Sequence, residues 1–447
     1  MEALQSFFDY VGGLVWGPVM LVLLVGTGVY LTLRLTFLQF RMLPFALKQA
    51  FCPAKNQEHQ PGDVSHFGAL MTALSATIGT GNIAGVATAV VLGGPGAVFW
   101  MWITAIFGMA TKYAEGILAV KYRIKDARGE MAGGPMYYIE RGLNMKWLAI
   151  LFAAFATVAS FGIGSSVQSN SVAQSIQASF GVETWITGVV LTIFTAIVIL
   201  GGIKSIAKAS SIIVPIMAVG YVLGGLAIIF MNLDAFWPAV QLIFSDAFTG
   251  QAVAGGALGT VIRFGVARGV FSNEAGMGSA PIAAAAAKTD HAGRQALVSM
   301  TGTFLDTIIV CSITGIALVM GGLYTGGETG AALTTMTFDK LLPGPGGYIV
   351  TFGLVFFAYS TILGWSYYGE KCAAYLFGPK SVLPYRLVYV ATVMLGTVVH
   401  LDLVWAAADT FNGLMAIPNL IALLLLSGVV VKETNDFIAK RKSGELP

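Results

Sequence analysis

Apolar runs of about 20 residues recur from one end of this chain to the other, separated by short polar stretches. A helix rises about 1.5 Å per residue, so each run matches the ~30 Å hydrocarbon core of a bilayer. Backbone amides find no water there, and helices are the structures that bond every N–H and C=O within one segment. Composition agrees: 56% of residues are hydrophobic and 11% are charged, against about 25% charged in a soluble domain. The expected fold class is an all-α polytopic membrane protein of about eleven transmembrane helices. They are placed at 11–36, 66–92, 95–121, 147–178, 184–203, 210–231, 263–286, 293–320, 347–377, 385–400 and 403–428. Cys52, Cys311 and Cys372 are far apart and form no CxxC, so neither a disulfide framework nor a zinc site is expected. The acidic start, MEALQSFFDY, lacks a basic n-region and cleavage site, and no removed signal peptide is expected.

Lys and Arg placement sets the orientation. With the N-terminus outside, 22 of the 25 Lys and Arg residues fall on inner segments, Lys112 and Lys121 among them. Arg263, Arg268 and Lys340 remain outside. The C-terminus and the tail 429–447 are then cytoplasmic, and the polar stretch NDFIAKRKSGELP (435–447) is expected to fray. Short helices over the outer face are expected within 235–261 and 330–342, and an inner loop with one short helix at 122–146.

Two spans are interrupted where a helix should be strongest. The run 66–92 contains SATIGTGNIAG (75–85), and 263–286 contains GVFSNEAGMGS (269–279). A backbone group freed inside a bilayer costs several kcal/mol unless protein, water or a ligand satisfies it. With 11–36 set aside as an extra helix, ten spans remain, and the breaks fall in the first and sixth. The two five-helix halves, 66–231 and 232–428, then run in opposite directions. Interrupted helices at matching places in inverted halves point to the binding site of a secondary transporter. Glycines of the GxxxG kind also mark close helix packing, which is the competing reading. A nucleotide fingerprint fails at GTGNIAG, because no strand precedes it and the spacing is wrong.

The site chemistry follows from a divided helix. N–H groups near Gly81, Asn82 and Ile83 begin the positive end of a half-helix and suit a carboxylate. Gly79 and Gly81 let the backbone turn and a ligand approach closely. Carbonyls at 270–272 suit an ammonium. An amino-acid zwitterion carries both groups. Gly79, Thr80, Gly81, Asn82, Phe271, Ser272, Asn273 and Gly276 are therefore candidate substrate-binding residues. Gln168 joins them as a direct contact from the polar span 147–178, whose Asn170 and Gln174 share a different face and bond neighbouring helices. Trp365, four residues after Thr361, shrinks the side-chain pocket or packs in the core. Glu274 and Asp306 are ionisable residues within crossings and are candidates for tuning the coupling cation or for a fixed ion pair. Arg268 is placed to neutralise Glu274 or another carboxylate. Asp409 is a further carboxylate within a crossing, and Glu370 and Lys371 suggest a gate or ion pair. The four histidines, in loops or at span ends, suggest no metal site.

At SATIGTGNIAG, GGPMYYIERGL (133–143), RGVFSNEAGMGSAP (268–281) and AYSTILGWSYYGEK (358–371), the chain resembles the alanine or glycine:cation symporters. The resemblance covers essentially the whole sequence. It implies the LeuT-type inverted-repeat fold and uptake of alanine or glycine with sodium, or sometimes protons. It also implies a sodium site made by the carbonyls of Ser75, Ile78 and Phe357 and the hydroxyls of Ser360 and Thr361. The local alternative is that both hydroxyls bond back to their own helix. The expected function is thus a sodium-coupled symporter of small neutral amino acids in the cell membrane, with proton coupling as the alternative. Its partners are the substrate and lipid, without nucleic acid, and a monomer suffices. A channel would want a continuous polar pore, whereas the polar positions cluster at one depth. An enzyme would want HExxH or a Ser/His pair within the spans, and neither occurs.

Overall fold

The computed structural model describes residues 2–52, 59–249, 258–399 and 402–446. The chain begins with α1 (Glu2–Val15) and α2 (Pro18–Arg34), which together make one 32-residue apolar span over Ala3–Arg34. Pro18 opens α2, where a missing N–H costs nothing. A short helix, α3 (Leu38–Phe51), precedes the first broken span, α4 (His66–Thr77) and α5 (Val86–Gly93). Ser65 caps α4, its Oγ accepting from Gly68 N at 3.0 Å. The long α6 (Ala97–Lys121) leads into a two-stranded hairpin, β1 (Ile124–Lys125) and β2 (Met131–Ala132), and then α7 (Pro135–Leu143).

The next span, α8 (Lys146–Ala159) and α9 (Val167–Phe180), is joined by a π-helical segment at Ser160–Ser166. Then come α10 (Thr184–Ile199), α11 (Gly202–Met231) and α12 (Leu233–Thr249). The second broken span is α13 (Leu258–Asn273) and α14 (Ala280–Ala284). A second π segment, Phe304–Cys311, lies between α15 (Ala292–Thr303) and α16 (Ser312–Gly321). The chain ends with α17 (Gly330–Leu341), α18 (Gly346–Phe377), α19 (Val382–Val398), α20 (Asp402–Leu425) and α21 (Ser427–Ser443).

The helices agree in place with the expected spans, but their count by length and apolarity is lower than eleven. Among the described residues eight helices qualify as membrane spans, and α4 with the segment through Gly93 adds a ninth, bent by 53°. The shortfall has two physical sources. Helix α10 is apolar but too short. The α13–α14 span is divided by an extended break, so neither piece is long enough alone. Within 330–342 a helix is present as α17; within 235–261 a helix is present to Thr249, and 250–257 lie outside the described residues.

Two expectations change. The tail is not frayed: α21 runs to Ser443 and docks on the bundle. Buried Phe437 packs against Gly293, and Lys121 Nζ pairs with Glu433 at 2.5 Å. The stretch after α6 is not merely a loop with a helix, because its first part is the β1–β2 hairpin, register Ile124 with Ala132.

Candidate functional site

Helix α4 stops at Thr77 because Ile78 turns to an extended ψ of 95°. The chain resumes as a π-helical turn at Gly81–Gly85. Asn82 tightens this break from within, its Oδ1 accepting from Gly79 N at 2.9 Å. Gln168 reaches it from α9, accepting from Thr80 N at 3.4 Å, while its Nε2 donates to Ile163 O at 3.0 Å. A Cβ at Gly79 would collide with Thr361 Oγ1, so only glycine lets α18 lie this close. Above the π turn, Thr334 of α17 donates to Ile83 O at 3.2 Å. Helix α17 thus adds a side-chain donor to a carbonyl of the π turn that Val86 N also reaches.

All five expected cation-binding residues converge on this break. Ser360 Oγ lies 3.3 Å from Ser75 O, 3.5 Å from Ile78 O and 2.9 Å from Phe357 O. Thr361 Oγ1 lies 3.2 Å from Ile78 O and 3.0 Å from Phe357 O. Three carbonyls and two hydroxyls form a buried oxygen cluster, the donor set a hard cation prefers, with Met217 Sδ at its edge 3.4 Å from Ser360 Oγ. The bonds to Phe357 O are also the local back-bonds that Ser and Thr make in helices, so both readings of these hydroxyls describe the same atoms.

The second break is held differently. Glu274 takes a left-handed conformation (φ +56°), followed by Gly276 (+89°) and Gly278 (+87°). Glu274 Oε2 accepts from Ser279 Oγ at 2.6 Å, and Oε1 accepts from Trp365 Nε1 at 3.0 Å. Asn273 Oδ1 accepts from Ala275 N at 3.0 Å, and its Nδ2 donates to Thr307 Oγ1 at 3.1 Å. The last carbonyl of α13, Asn273 O, accepts from Lys112 Nζ at 2.8 Å. Behind the break, Glu115 Oε1 accepts from Gly278 N (3.1 Å) and Asn419 Nδ2 (2.7 Å), while Asn419 also donates to Gly276 O.

Asp306 joins the two breaks. Its Oδ1 accepts from Asn82 Nδ2 at 2.7 Å, and its Oδ2 accepts from Ser272 Oγ at 2.9 Å and Thr307 Oγ1 at 2.7 Å. The breaks also touch directly: a Cβ on Gly81 would fall 3.3 Å from the Phe271 ring.

The structure therefore brings together Ser75, Ile78, Gly79, Thr80, Gly81, Asn82, Gln168, Phe357, Ser360 and Thr361 at one break. It gathers Phe271, Ser272, Asn273, Glu274, Gly276, Asp306 and Trp365 at the other. Asn170 donates to Gly396 O at 3.0 Å, the expected helix–helix role. Three placements differ. Arg268 does not pair with Glu274 but shares a cavity with another carboxylate, Asp409, and its guanidinium lies 5.6 Å from the centre of the Phe271 ring. Carbonyl groups at the end of α13 are not all open to an ammonium, since Val270 O accepts from Glu274 N and Asn273 O from Lys112. Lys112, counted as an inner-loop charge, is 3% exposed inside α6. Lys112, Glu115 and Asn419 were missed as site residues. The spacing Lys112–Glu115, i and i+3 on one helix face, was the available signal.

The expected Glu370–Lys371 ion pairs are found at the β-hairpin. Lys371 Nζ pairs with Asp126 (3.1 Å) and Glu130 (2.9 Å), and Glu370 with Arg128 (3.2 Å) and Arg386 (2.7 Å). Burial pushes the Asp126 and Glu130 carboxyls up, but Lys371 and their hydrogen bonds outweigh it and hold both below the usual range. Asp63 beside them is pushed up by burial. Arg123 ties the hairpin base to Ala285 O (2.9 Å), Ala287 O (2.7 Å) and Pro61 O (2.8 Å), the ends of both broken spans.

The whole chain has known relatives. It is 63% identical over 447 residues to the sodium/alanine symporter AgcS of Methanococcus maripaludis, with 98% of each chain covered. Its fold is similar to MhsT in complex with L-phenylalanine, with TM-score 0.60 and 13% identity over 84% of this chain and 99% of that one. It also resembles the substrate-bound outward-open state of a Na+-coupled sialic acid symporter, with TM-score 0.52 and 12% identity over 94% and 86%. These likenesses make the fold LeuT-type, as the sequence led us to expect. The model of the sodium:alanine symporter family matches residues 1–447. By that match and the archaeal relative, this multi-pass membrane protein belongs to the sodium:alanine symporter family.

Proposed function

We propose that the protein imports small neutral amino acids, alanine and glycine first, by symport with sodium and alternating access. The observation that carries this reading is the five-oxygen cluster at the first break. Its carbonyls from Ser75 and Ile78 are freed by the same unwinding that turns Thr80 N onto Gln168 Oε1 at 3.4 Å and Asn82 N onto Gly79 O at 3.2 Å, donors a substrate carboxylate would take over. Sodium at the cluster fixes the unwound backbone, and the backbone so fixed receives the substrate carboxylate. Linkage makes the effect mutual: substrate favours sodium by the factor with which sodium favours substrate. The archaeal sodium/alanine relative supports alanine as the first substrate.

In this reading Gly79, Thr80, Gly81 and Gln168 face the substrate backbone. Phe271 and Trp365 limit its side chain, with Ser272, Asn273 and Gly276 framing the second break. The N-terminus lies outside and the C-terminus in the cytoplasm of a cell with an inner membrane. The repeats are 66–231 and 232–428. One observation favours a second coupling mode. Asp306 is fully buried and accepts from the neutral donors Asn82, Ser272 and Thr307, an arrangement that also suits a carried proton.

Uptake of labelled alanine and glycine into proteoliposomes tests the reading. Accumulation driven by an inward sodium gradient is expected, and uptake indifferent to sodium and proton gradients alike rejects symport. Accumulation with a proton gradient alone selects Asp306 coupling.

A further inference from the structure

Helix α3 lies away from the site just described, on the membrane face where α2 ends and α4 begins. Two left-handed residues, Thr36 (φ +53°) and Phe37 (φ +56°), turn the chain out of α2. Arg41 closes that turn, its Nη2 donating to Leu35 O at 3.3 Å and to Thr36 Oγ1 at 2.7 Å. Leu38, Gln39, Ala46, Gln49 and Ala50 bury one side of α3. The other side is open: Phe37, Phe40 and Phe51 are 48%, 55% and 49% exposed, and Arg41 and Lys48 are exposed among them. These positions recur every three or four residues and so share one face. The end of α21 adds a third cation. Arg441 Cζ lies 3.6 Å from the centre of the Phe45 ring, and its Nη1 donates to Met42 Sδ at 3.8 Å. Phe45 is about one helical turn from both Arg41 and Lys48, so the three charges gather on one patch. Among the described residues none of the three pairs with a carboxylate. The acids of α21 are engaged elsewhere, Glu433 with Lys121 and Asp436 with Lys440 and His291.

Rings and cations on one exposed face suit a helix lying in a membrane interface, the rings toward the acyl chains and the charged heads toward the headgroups. We propose that this face of α3, completed by the end of α21, binds an anionic phospholipid. Arg41, Lys48 and Arg441 meet its phosphodiester, and Phe37, Phe40 and Phe51 its acyl chains. A guanidinium forks onto a phosphate, and an ammonium meets it as a point charge. A choline or ethanolamine headgroup carries a cation of its own, which three unpaired cations repel; a headgroup of net negative charge matches them. The patch also reaches the first broken span. The Phe51 ring lies 6.2 Å from that of Phe67 on α4, and Gln49 Oε1 accepts from Arg294 Nη1 of α15 at 2.9 Å. A bound headgroup therefore steadies the helix on which α4 and α15 begin.

The chain carries its own probe position. Cys52, at the end of α3, is exposed, whereas Cys311 and Cys372 are buried. A fluorophore on Cys52 of the full chain, in phosphatidylcholine nanodiscs at low salt, is quenched by brominated lipid. Dibrominated phosphatidylglycerol is expected to half-quench it at a mole fraction roughly tenfold below that of dibrominated phosphatidylcholine. Lys48→Gln and Arg441→Gln should each cut that preference severalfold and together abolish it, whereas Arg441→Lys should retain it. Neither side chain ties the fold as Arg41 does, so both variants are expected to keep the melting curve of the parent. High salt should weaken the preference, because the charges are exposed. Equal quenching by the two lipids, or a preference that survives the double neutralisation, would overturn the proposal. So would a preference erased by inorganic phosphate but not by chloride at the same ionic strength, which would assign the patch to a soluble anion.

Discussion

At the scale of single residues, the hydroxyl pair on α18 and the buried ammonium of Lys112 make opposite predictions. Thr361→Val keeps shape and removes one oxygen from the cluster. A hydrogen-bonding group of this kind contributes about 1 kcal/mol, so the sodium concentration for half-maximal uptake should rise roughly five- to tenfold with the thermal midpoint little changed. An unchanged sodium dependence would remove Thr361 from the cation set. Lys112→Met instead leaves Glu115, Glu274 and Asp306 without the buried ammonium that acts on all three carboxylates. Breaking such a buried arrangement costs about 3–5 kcal/mol, and the detergent-purified protein should lose stability regardless of sodium. An unaltered melting curve would refute that role. The sequence made the first case legible and hid the second. Adjacent Ser360 and Thr361 stand out in an apolar run, and the family resemblance names their partners. Lys112, near Tyr113 and Glu115, reads as the charged inner end of a span. Only the packing of α6 against α13 shows that it faces the interior, bonded to Asn273 O.

Whole elements were easier to foresee than their joints. Span positions follow from hydropathy alone, and both breaks from glycines where a helix should be strongest. What hydropathy does not encode is how a break is closed. Asn82 and Thr334 close the first; Lys112, Glu115 and Asn419 close the second. Most are contacts across more than one element, and the i, i+3 spacing of Lys112 and Glu115 is a thin local pattern to read them from. The hairpin escaped notice for a similar reason, since two-residue strands carry no period. Thr334→Val tests the joint between α17 and the first break. Loss of the bond to Ile83 O should speed amide exchange at 81–86, and a slowed or equal rate would show that α17 merely covers the break. Lys371→Gln tests the joint at the hairpin. Asp126 and Glu130 then lose their shared ammonium, and Cys372, fully buried beside Lys371, should react several-fold faster with a thiol reagent. Equal rates, read by peptide mass, would mean that the hairpin does not restrain this end of α18.

For the molecule as a whole, the hairpin cluster joins α18 and α19 to the ends of both broken spans, which makes it sensitive to acid. Asp126 and Glu130 are held below their ordinary values. Their contribution is complete above the unfolded values of about 4, and it is lost as pH falls through the lower folded ones. Protection of 124–132 against amide exchange, corrected for intrinsic rate, should be flat from pH 7 to about 5 and fall below that. A decline already under way near neutrality would assign the sensitivity to another group. A different consequence follows from where α1 sits. Trp16 Nε1 donates to Asp409 O at 3.1 Å, and Thr410 Oγ1 donates to Phe8 O at 3.1 Å, contacts spanning 393 and 402 residues of sequence. At ribosomal speeds of about 5–20 residues per second, α1 waits roughly 20–80 s for α20 to emerge. Until then Trp16 and the glycine-rich face of α1 have only lipid or the insertion machinery for company. The order of synthesis thus makes α1, long since inserted, settle only when α20 arrives.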